Sequence, residues 1–223
     1  MNGVLNLDKP AGISSAAAVN RVKRLLPRGT KIGHAGTLDP FATGVLLLLI
    51  GKATKLCESL MDRPKQYETT VMLGATTATD DCDSPAVVTA GTREVSLEAI
   101  EDLLPRFVGA ISQRPPDFSA MKIGGRRAYD LARQGKAVQL SERKVRVDSL
   151  ELLEYAWPLL RLRIDCGRGT YIRSLARDIG QELGVGGYLT QLRRTRVGDF
   201  YVGNSVSLSE LTEEILVGRL VQI

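Results

Sequence analysis

The sequence is short of the residues on which most metal, redox and triad chemistry depends. Its 223 residues include one histidine, His34, so a multi-histidine metal centre or a serine-histidine-aspartate triad has almost nothing to draw on. The three cysteines, Cys57, Cys82 and Cys166, are odd in number, widely spaced and without a Cys-x-x-Cys pair, so they are expected to be buried apolar side chains rather than a metal or redox site. No apolar run exceeds residues 45–50, far below the roughly 18 residues that a membrane-spanning helix needs. The N-terminus reaches Asp8 and Lys9 at once and lacks the basic-then-apolar build of a secretory leader. These absences predict a cytoplasmic chain with no membrane role and no bound metal, whose chemistry falls to carboxylates.

What is present supports a globular fold, since 43% of residues are hydrophobic. The net charge of +5 hides a segregation: Lys and Arg exceed Asp and Glu by six in residues 1–65 and again by six in residues 106–150, whereas residues 66–105 carry a deficit of seven and the remainder balances. Two basic blocks of this size are the footprint expected of polyphosphate binding, because each cation set at a phosphate releases condensed counterions. Taken alone, a charge run is no more than a solvated face.

The pattern of elements is α+β. Residues 3–7 read as a strand, the Lys9-Pro10-Ala11-Gly12 stretch as a turn, and Ser14 or Ser15 as the cap of a helix that runs to about Leu26 and stops at Pro27. A Gly-rich loop over residues 33–44 empties into the apolar strand 45–50, which belongs in the middle of a sheet. Further strands are expected at 67–73, 143–153, 159–166 and near 196–202. Helices are expected from Ser96 to Leu104, from Thr170 through the apolar stripe Ile172, Leu175, Ala176, Ile179 and Leu183 to Gly184, and from about Ser209. Residues 76–92, with Asp80, Asp81, Asp83 and Pro85, read as a mobile acidic loop. Residues 113–140 read as a basic excursion from the core, with a turn at 122–125 and a short basic helix at 126–133.

One stretch stands out: Gly33-His34-Ala35-Gly36-Thr37-Leu38-Asp39-Pro40-Phe41-Ala42-Thr43-Gly44, a loop holding one carboxylate between glycines just ahead of a buried strand. An isolated Asp-Pro is ordinarily a turn initiator. Other candidate motifs fail: Gly51-Lys52-Ala53 lacks the Ser/Thr and the upstream glycine of a P-loop, and the glycines at 184, 186 and 187 lie at the wrong end of a helix for a dinucleotide fingerprint.

The 33–44 stretch closely resembles the catalytic motif of TruB-type pseudouridine synthases, Gly-His-x-Gly-x-Leu-Asp-Pro-x-Ala-x-Gly, continued by Lys52-Ala53-Thr54-Lys55. Four further stretches resemble the family in the right order: Gly3 to Ser15, Lys65-Gln66-Tyr67 leading to Leu73-Gly74, Ser119 to Gly135, and Gly169-Thr170-Tyr171-Ile172-Arg173 followed by Leu189 to Thr195. Other pseudouridine synthase families show an Arg-Leu-Asp core where this chain has Thr37-Leu38-Asp39-Pro40.

The resemblance implies a pseudouridine synthase fold, a central mixed and mostly antiparallel sheet flanked by helices, with residues 113–140 as a thumb-like insertion gripping the T-arm of tRNA. It implies isomerisation of a uridine in the T-loop, position 55 in tRNA convention, without a cofactor. Asp39 would be the catalytic carboxylate, Arg173 its ion-pair partner, and Tyr67 the stacking face and proton-transfer hydroxyl. Leu192 would form the opposite wall and His34 would wedge into the RNA where the uridine leaves the stack. Lys9, Lys55, Arg126, Arg127 and Arg133 are expected phosphate contacts. Attack of Asp39 on C1′, attack on the base and removal of the C2′ proton are all open routes. Bacterial members usually append a PUA domain; with 25 residues after Gly198, one catalytic domain over residues 1–223 and no separate PUA domain are expected, acting as a monomer without an obligate protein partner. The alternatives are a synthase for another stem-loop RNA and a non-catalytic tRNA-folding module.

Overall fold

The computed structural model describes residues 1–119, 121–123, 126, 127, 134 and 140–222. Strand β1 (Gly3–Lys9) opens the chain and is followed by helix α1 (Ser15–Lys23), whose first turn is capped by Ser14 Oγ accepting the Ala17 N–H at 3.1 Å. The helix stops a turn short of the expected Leu26. Pro27 disfavours the α conformation in the residue before it, and Leu25 and Leu26 instead close tighter bonds to Val22 and Lys23. Strand β2 (Ile32–His34) then precedes β3 (Thr43–Ile50), which is buried from Gly44 onward. A 3₁₀ turn (Gly51–Leu56) and helix α2 (Cys57–Met61) lead into β4 (Lys65–Leu73).

The expected mobile acidic loop is an ordered hairpin of β5 (Ala75–Thr77) and β6 (Ala86–Val88), and its Asp81 is buried. Helix α3 (Leu97–Leu103) starts at the foreseen cap, Ser96, and β7 (Gly109–Gln113) follows. Within the basic excursion, β8 (Lys122–Ile123) pairs with β9 (Arg126–Arg127), so the first two residues of the expected short helix are strand; residues 128–133 lie outside the described residues. Strand β10 (Arg143–Ala156) pairs with β11 (Leu159–Cys166).

Helix α4 (Ile172–Glu182) buries Ile172, Leu175, Ala176 and Ile179 of the predicted stripe, while Leu183, its last member, is the half-buried C-cap. Its N-cap is Tyr171 rather than Thr170, whose hydroxyl donates to the Arg146 carbonyl at 3.2 Å. Strand β12 (Gly187–Val197) turns at Gly198 into β13 (Phe200–Tyr201), splitting the expected last strand into a hairpin. Strand β14 (Val206–Ser207) and helix α5 (Glu213–Arg219), capped by Thr212, complete the chain. Among the described residues no helix is long and apolar enough to cross a membrane.

The chain divides into two compact units, Met1–Glu68 with Gln191–Ile223, and Thr69–Thr190. In the first, the strand order is β14-β1-β3-β12-β4, with β2 on β3 and β13 on β12. Pairings β1–β14 and β3–β12 are parallel and β1–β3, β2–β3 and β12–β13 antiparallel, so the sheet is mixed. Strand β3 is buried on both faces, and on one of them Val45, Leu47 and Leu49 pack with Val4, Ala53, Leu60 and Val197. In the second unit the order is β12-β4-β11-β10-β7, with helix α4 contributing Leu175 and Ile179 to the buried set that holds Val71, Leu73, Leu160, Leu162 and Ile164. Gly180 lets α4 come down on the Gly186-Gly187 backbone, where a Cβ would overlap it. The architecture is the expected α+β.

Candidate functional site

Asp39 sits half-buried in the loop between β2 and β3, and three buried side chains from elsewhere in the first unit hold that loop. Ser15, at the start of α1, brackets Leu38: its hydroxyl donates to the Leu38 carbonyl at 2.9 Å and accepts the Leu38 N–H at 2.8 Å. Arg194, on β12 and 1% exposed, donates from Nε to the Val45 carbonyl at 2.7 Å, and from its two Nη atoms to the carbonyls of Thr37 (3.4 Å) and Gly36 (3.3 Å). Lys9, at the end of β1, donates to the carbonyls of Pro10 and Ile13 at 2.8 Å and of Pro40 at 3.2 Å. Gly12 N–H reaches the same Pro40 carbonyl at 2.9 Å. The backbone on both sides of Asp39 is therefore fixed by hydrogen bonds to three buried side chains, Ser15, Lys9 and Arg194. Gly44 is required at the foot of the loop, because its φ is +102° and a Cβ there would fall on the Arg194 backbone.

This arrangement corrects the role expected of Lys9. The ammonium is fully buried, 0% exposed, and cannot meet a phosphate. Burial lowers its pKa from 10.5 to about 8, the negative charge of Asp39 opposes that fall, and the Arg194 guanidinium reinforces it. Lys9, Asp39 and Arg194 thus form one electrostatic cluster, with two buried cations around the carboxylate's loop.

The other candidates in the first unit are placed as follows. Tyr67 lies on β4 and Leu192 on β12, neighbouring strands, and both are buried. His34 ends β2, half-buried, with its carbonyl accepting from Cys57 Sγ at 3.6 Å. Lys55 is exposed on the 3₁₀ turn, as a phosphate contact must be. Of the cysteines, expected to be buried, Cys166 is buried, Cys57 is partly covered and Cys82 is exposed.

Arg173, in the first turn of α4, belongs to the second unit, and its side chain is 4% exposed. Its guanidinium pairs with Asp81 at 3.3 Å and donates to the carbonyls of Thr79 (3.1 Å) and Phe118 (3.0 Å). Asp81 is oriented by the Thr79 hydroxyl at 2.5 Å and the Asp83 N–H at 3.0 Å. The residue before the helix is equally fixed: the Gln113 side chain accepts the Tyr171 N–H at 2.8 Å and donates to the Tyr171 carbonyl at 3.0 Å, while Arg143 stacks over the Tyr171 ring at 4.9 Å. Arg126 and Arg127 lie on β9, and Arg133 is outside the described residues. The sequence pattern does not place Ser15, Arg194 or Asp81 at the site: Ser15 reads as a helix-cap candidate and Asp81 as part of an acidic loop, and burial of a polar side chain is the missing signal.

A model described as the N-terminal domain of TruB family pseudouridylate synthases matches residues 23–172, and one described as the C-terminal domain of tRNA pseudouridylate synthase B matches residues 173–219. These define a pseudouridylate synthase. The chain belongs to the TruB family. Among curated relatives, a tRNA pseudouridine synthase B from Mycobacterium tuberculosis is 46% identical over 215 residues, covering 95% of this chain and 72% of the relative. One from Phocaeicola vulgatus is 45% identical over 215 residues, covering 94% of this chain and 92% of the relative. A solved Cbf5-Nop10-Gar1 complex contains a chain that is 33% identical with a TM-score of 0.73; the match covers 94% of this chain and 53% of that one.

Proposed function

We propose that the chain isomerises uridine to pseudouridine in the T-loop of tRNA, position 55, with Asp39 as the reacting carboxylate. The observation that carries this reading is the loop clamp: Ser15, Lys9 and Arg194 fix the backbone around one aspartate to within a few hydrogen bonds' play, which is what positioned carboxylate chemistry demands. Family membership and the names of the curated relatives support the reaction and the class of RNA. The reaction breaks the N1–C1′ bond, turns the uracil and joins C5 to C1′; C5 gives up its proton and N1 gains one, so no oxidant, reductant or cofactor enters the balance.

In this reading Asp39 works as the anion, by attack on C1′ or on the base or by taking the C2′ proton, and each route needs it ionised. Arg173 serves as its ion-pair partner and is held for the task by Asp81. Tyr67 and Leu192 enclose the extruded uracil, and His34 fills the gap it leaves in the RNA. Lys55 and three arginines of the 113–140 segment, Arg126, Arg127 and Arg133, meet the T-arm phosphates, and residues 1–223 act as one catalytic domain. Replacing Asp39→Asn is expected to abolish pseudouridine formation while RNA affinity stays within about tenfold, because only the chemical step requires the anion. Product analysis and a binding titration on the same preparation test this; turnover near wild type removes the assignment. Tight binding by a wild-type protein that yields no product would instead favour a tRNA-folding module.

A further inference from the structure

Helix α4 carries a second arginine, Arg177, one turn beyond Arg173 and on the same face. Its guanidinium meets Asp80 Oδ2 at 2.9 Å and Asp178 Oδ1 at 2.8 Å, and donates to the Arg114 carbonyl at 2.8 Å. The two arginines grip the same two segments in register. Arg173 takes Asp81, the Thr79 carbonyl and the Phe118 carbonyl; Arg177 takes Asp80 and the Arg114 carbonyl. Ser174 Oγ donates a second bond to the same Arg114 carbonyl at 2.8 Å. One segment is the loop that supplies Arg173 with its carboxylate, and the other is the root of the basic excursion.

Asp80 is the one non-glycine residue with positive φ, +59°, among the described residues. That left-handed conformation costs an aspartate on the order of 1 kcal/mol and sends consecutive carboxylates to different partners, Asp80 to Arg177 and Asp81 to Arg173. Burial pushes the Asp80 carboxyl above its ordinary range, and Arg177 opposes the rise most strongly. The pair is not core packing: it borders a cleft of about 630 Å³ that Asp117 and Glu142 also line, and the Arg177 side chain remains 24% exposed.

We propose that Arg177 and Asp80 are positioning residues for the isomerisation. By holding Asp80 in the left-handed turn, Arg177 fixes Asp81 and, through it, Arg173, and it ties that setting to the root of the RNA-gripping segment at Arg114. The inference rests on the function proposed above.

The test is single-turnover pseudouridine formation at saturating T-arm tRNA, with RNA affinity and thermal midpoint measured on each preparation. Arg177→Gln is expected to slow the chemical step about tenfold or more, a misplacement near 1 Å costing up to about a hundredfold, while RNA affinity changes less than about threefold. Asp80→Gly accommodates the left-handed backbone, so it keeps the fold while removing the carboxylate, and it should slow the reaction to a similar degree. The double variant should be no slower than about either single one, because coupled groups are not additive. Arg177→Lys should recover part of the rate by restoring one ionic contact to Asp80. Asp178→Asn removes the other carboxylate on the same guanidinium and should leave the rate within about twofold. Wild-type rates in Arg177→Gln, multiplicative losses in the double variant, or an equal loss in Asp178→Asn would each overturn the proposal. A wild-type protein that forms no pseudouridine would instead overturn the proposed function and would be recognised before any variant is read.

Discussion

Lys9 offers a sharp physical test, because its burial makes a pH dependence that is opposite in sign to that of a surface salt bridge. In the folded chain its pKa is about 8, against 10.5 for an unhindered lysine. Between those values the unfolded chain holds the proton and the folded chain does not. Stability must therefore rise with pH across this window, by up to about 1.4 kcal/mol per pH unit and about 3 kcal/mol in all. Below pH 8 the ammonium is charged in both states and its contribution is flat. The cause is desolvation, only partly offset by the charge of Asp39. Lys9→Met keeps most of the aliphatic volume and removes the titration. Urea unfolding followed by circular dichroism, in steps from pH 7 to pH 10.5 for both proteins, gives the difference curve in which other titrating groups cancel. The wild type should gain on the variant steadily above pH 8. Parallel curves across the whole range would refute the burial of a charged Lys9 and with it the electrostatic account of the loop.

Two further outcomes are expected. Replacing Arg126, Arg127 and Arg133 together by Ala should flatten the slope of log affinity against log salt by up to about 2 units, at roughly 0.7 per lost phosphate contact, as read by fluorescence titration at several salt concentrations. Gly44→Ala places a Cβ on the Arg194 backbone at a φ of +102°, so it should disrupt the Asp39 loop and cost more than about 2 kcal/mol in unfolding free energy, with pseudouridine formation lost in parallel.

Much of the fold was legible because local chemistry and tertiary structure agree. Ser14, one of the two serines expected as the cap of α1, and Ser96 cap their helices, and the apolar run at 45–50 became a fully buried strand. The stripe on residues 172–179 became the buried face of α4. The errors arose where a polar residue turned inward. Nothing in the run Asp80, Asp81, Cys82, Asp83 separates the two carboxylates that turn inward from the exposed Asp83, since that depends on Arg173 and Arg177 lying more than 90 positions away in sequence. Lys9 was expected to be a phosphate ligand for the same reason. A lysine in a basic block is indistinguishable by composition from one whose ammonium closes on three backbone carbonyls. Asp39 itself was found through motif resemblance; the residues that hold its loop required the fold.

The clamp on the Asp39 loop also sets an order on the birth of the protein. Arg194 grips the Gly36 carbonyl across 158 positions of chain, and β12, which carries it, lies beside β3. Contacts of such long range form late, after the entropy of closing the intervening chain has been met. On the ribosome, Lys9, Ser15 and the aspartate emerge early, yet the loop lacks its third support until most of the chain has been made. A nascent or prematurely ended chain can display the complete aspartate motif and still hold it slack. Competence for chemistry is thus tied to the arrival of β12 rather than to the presence of the motif.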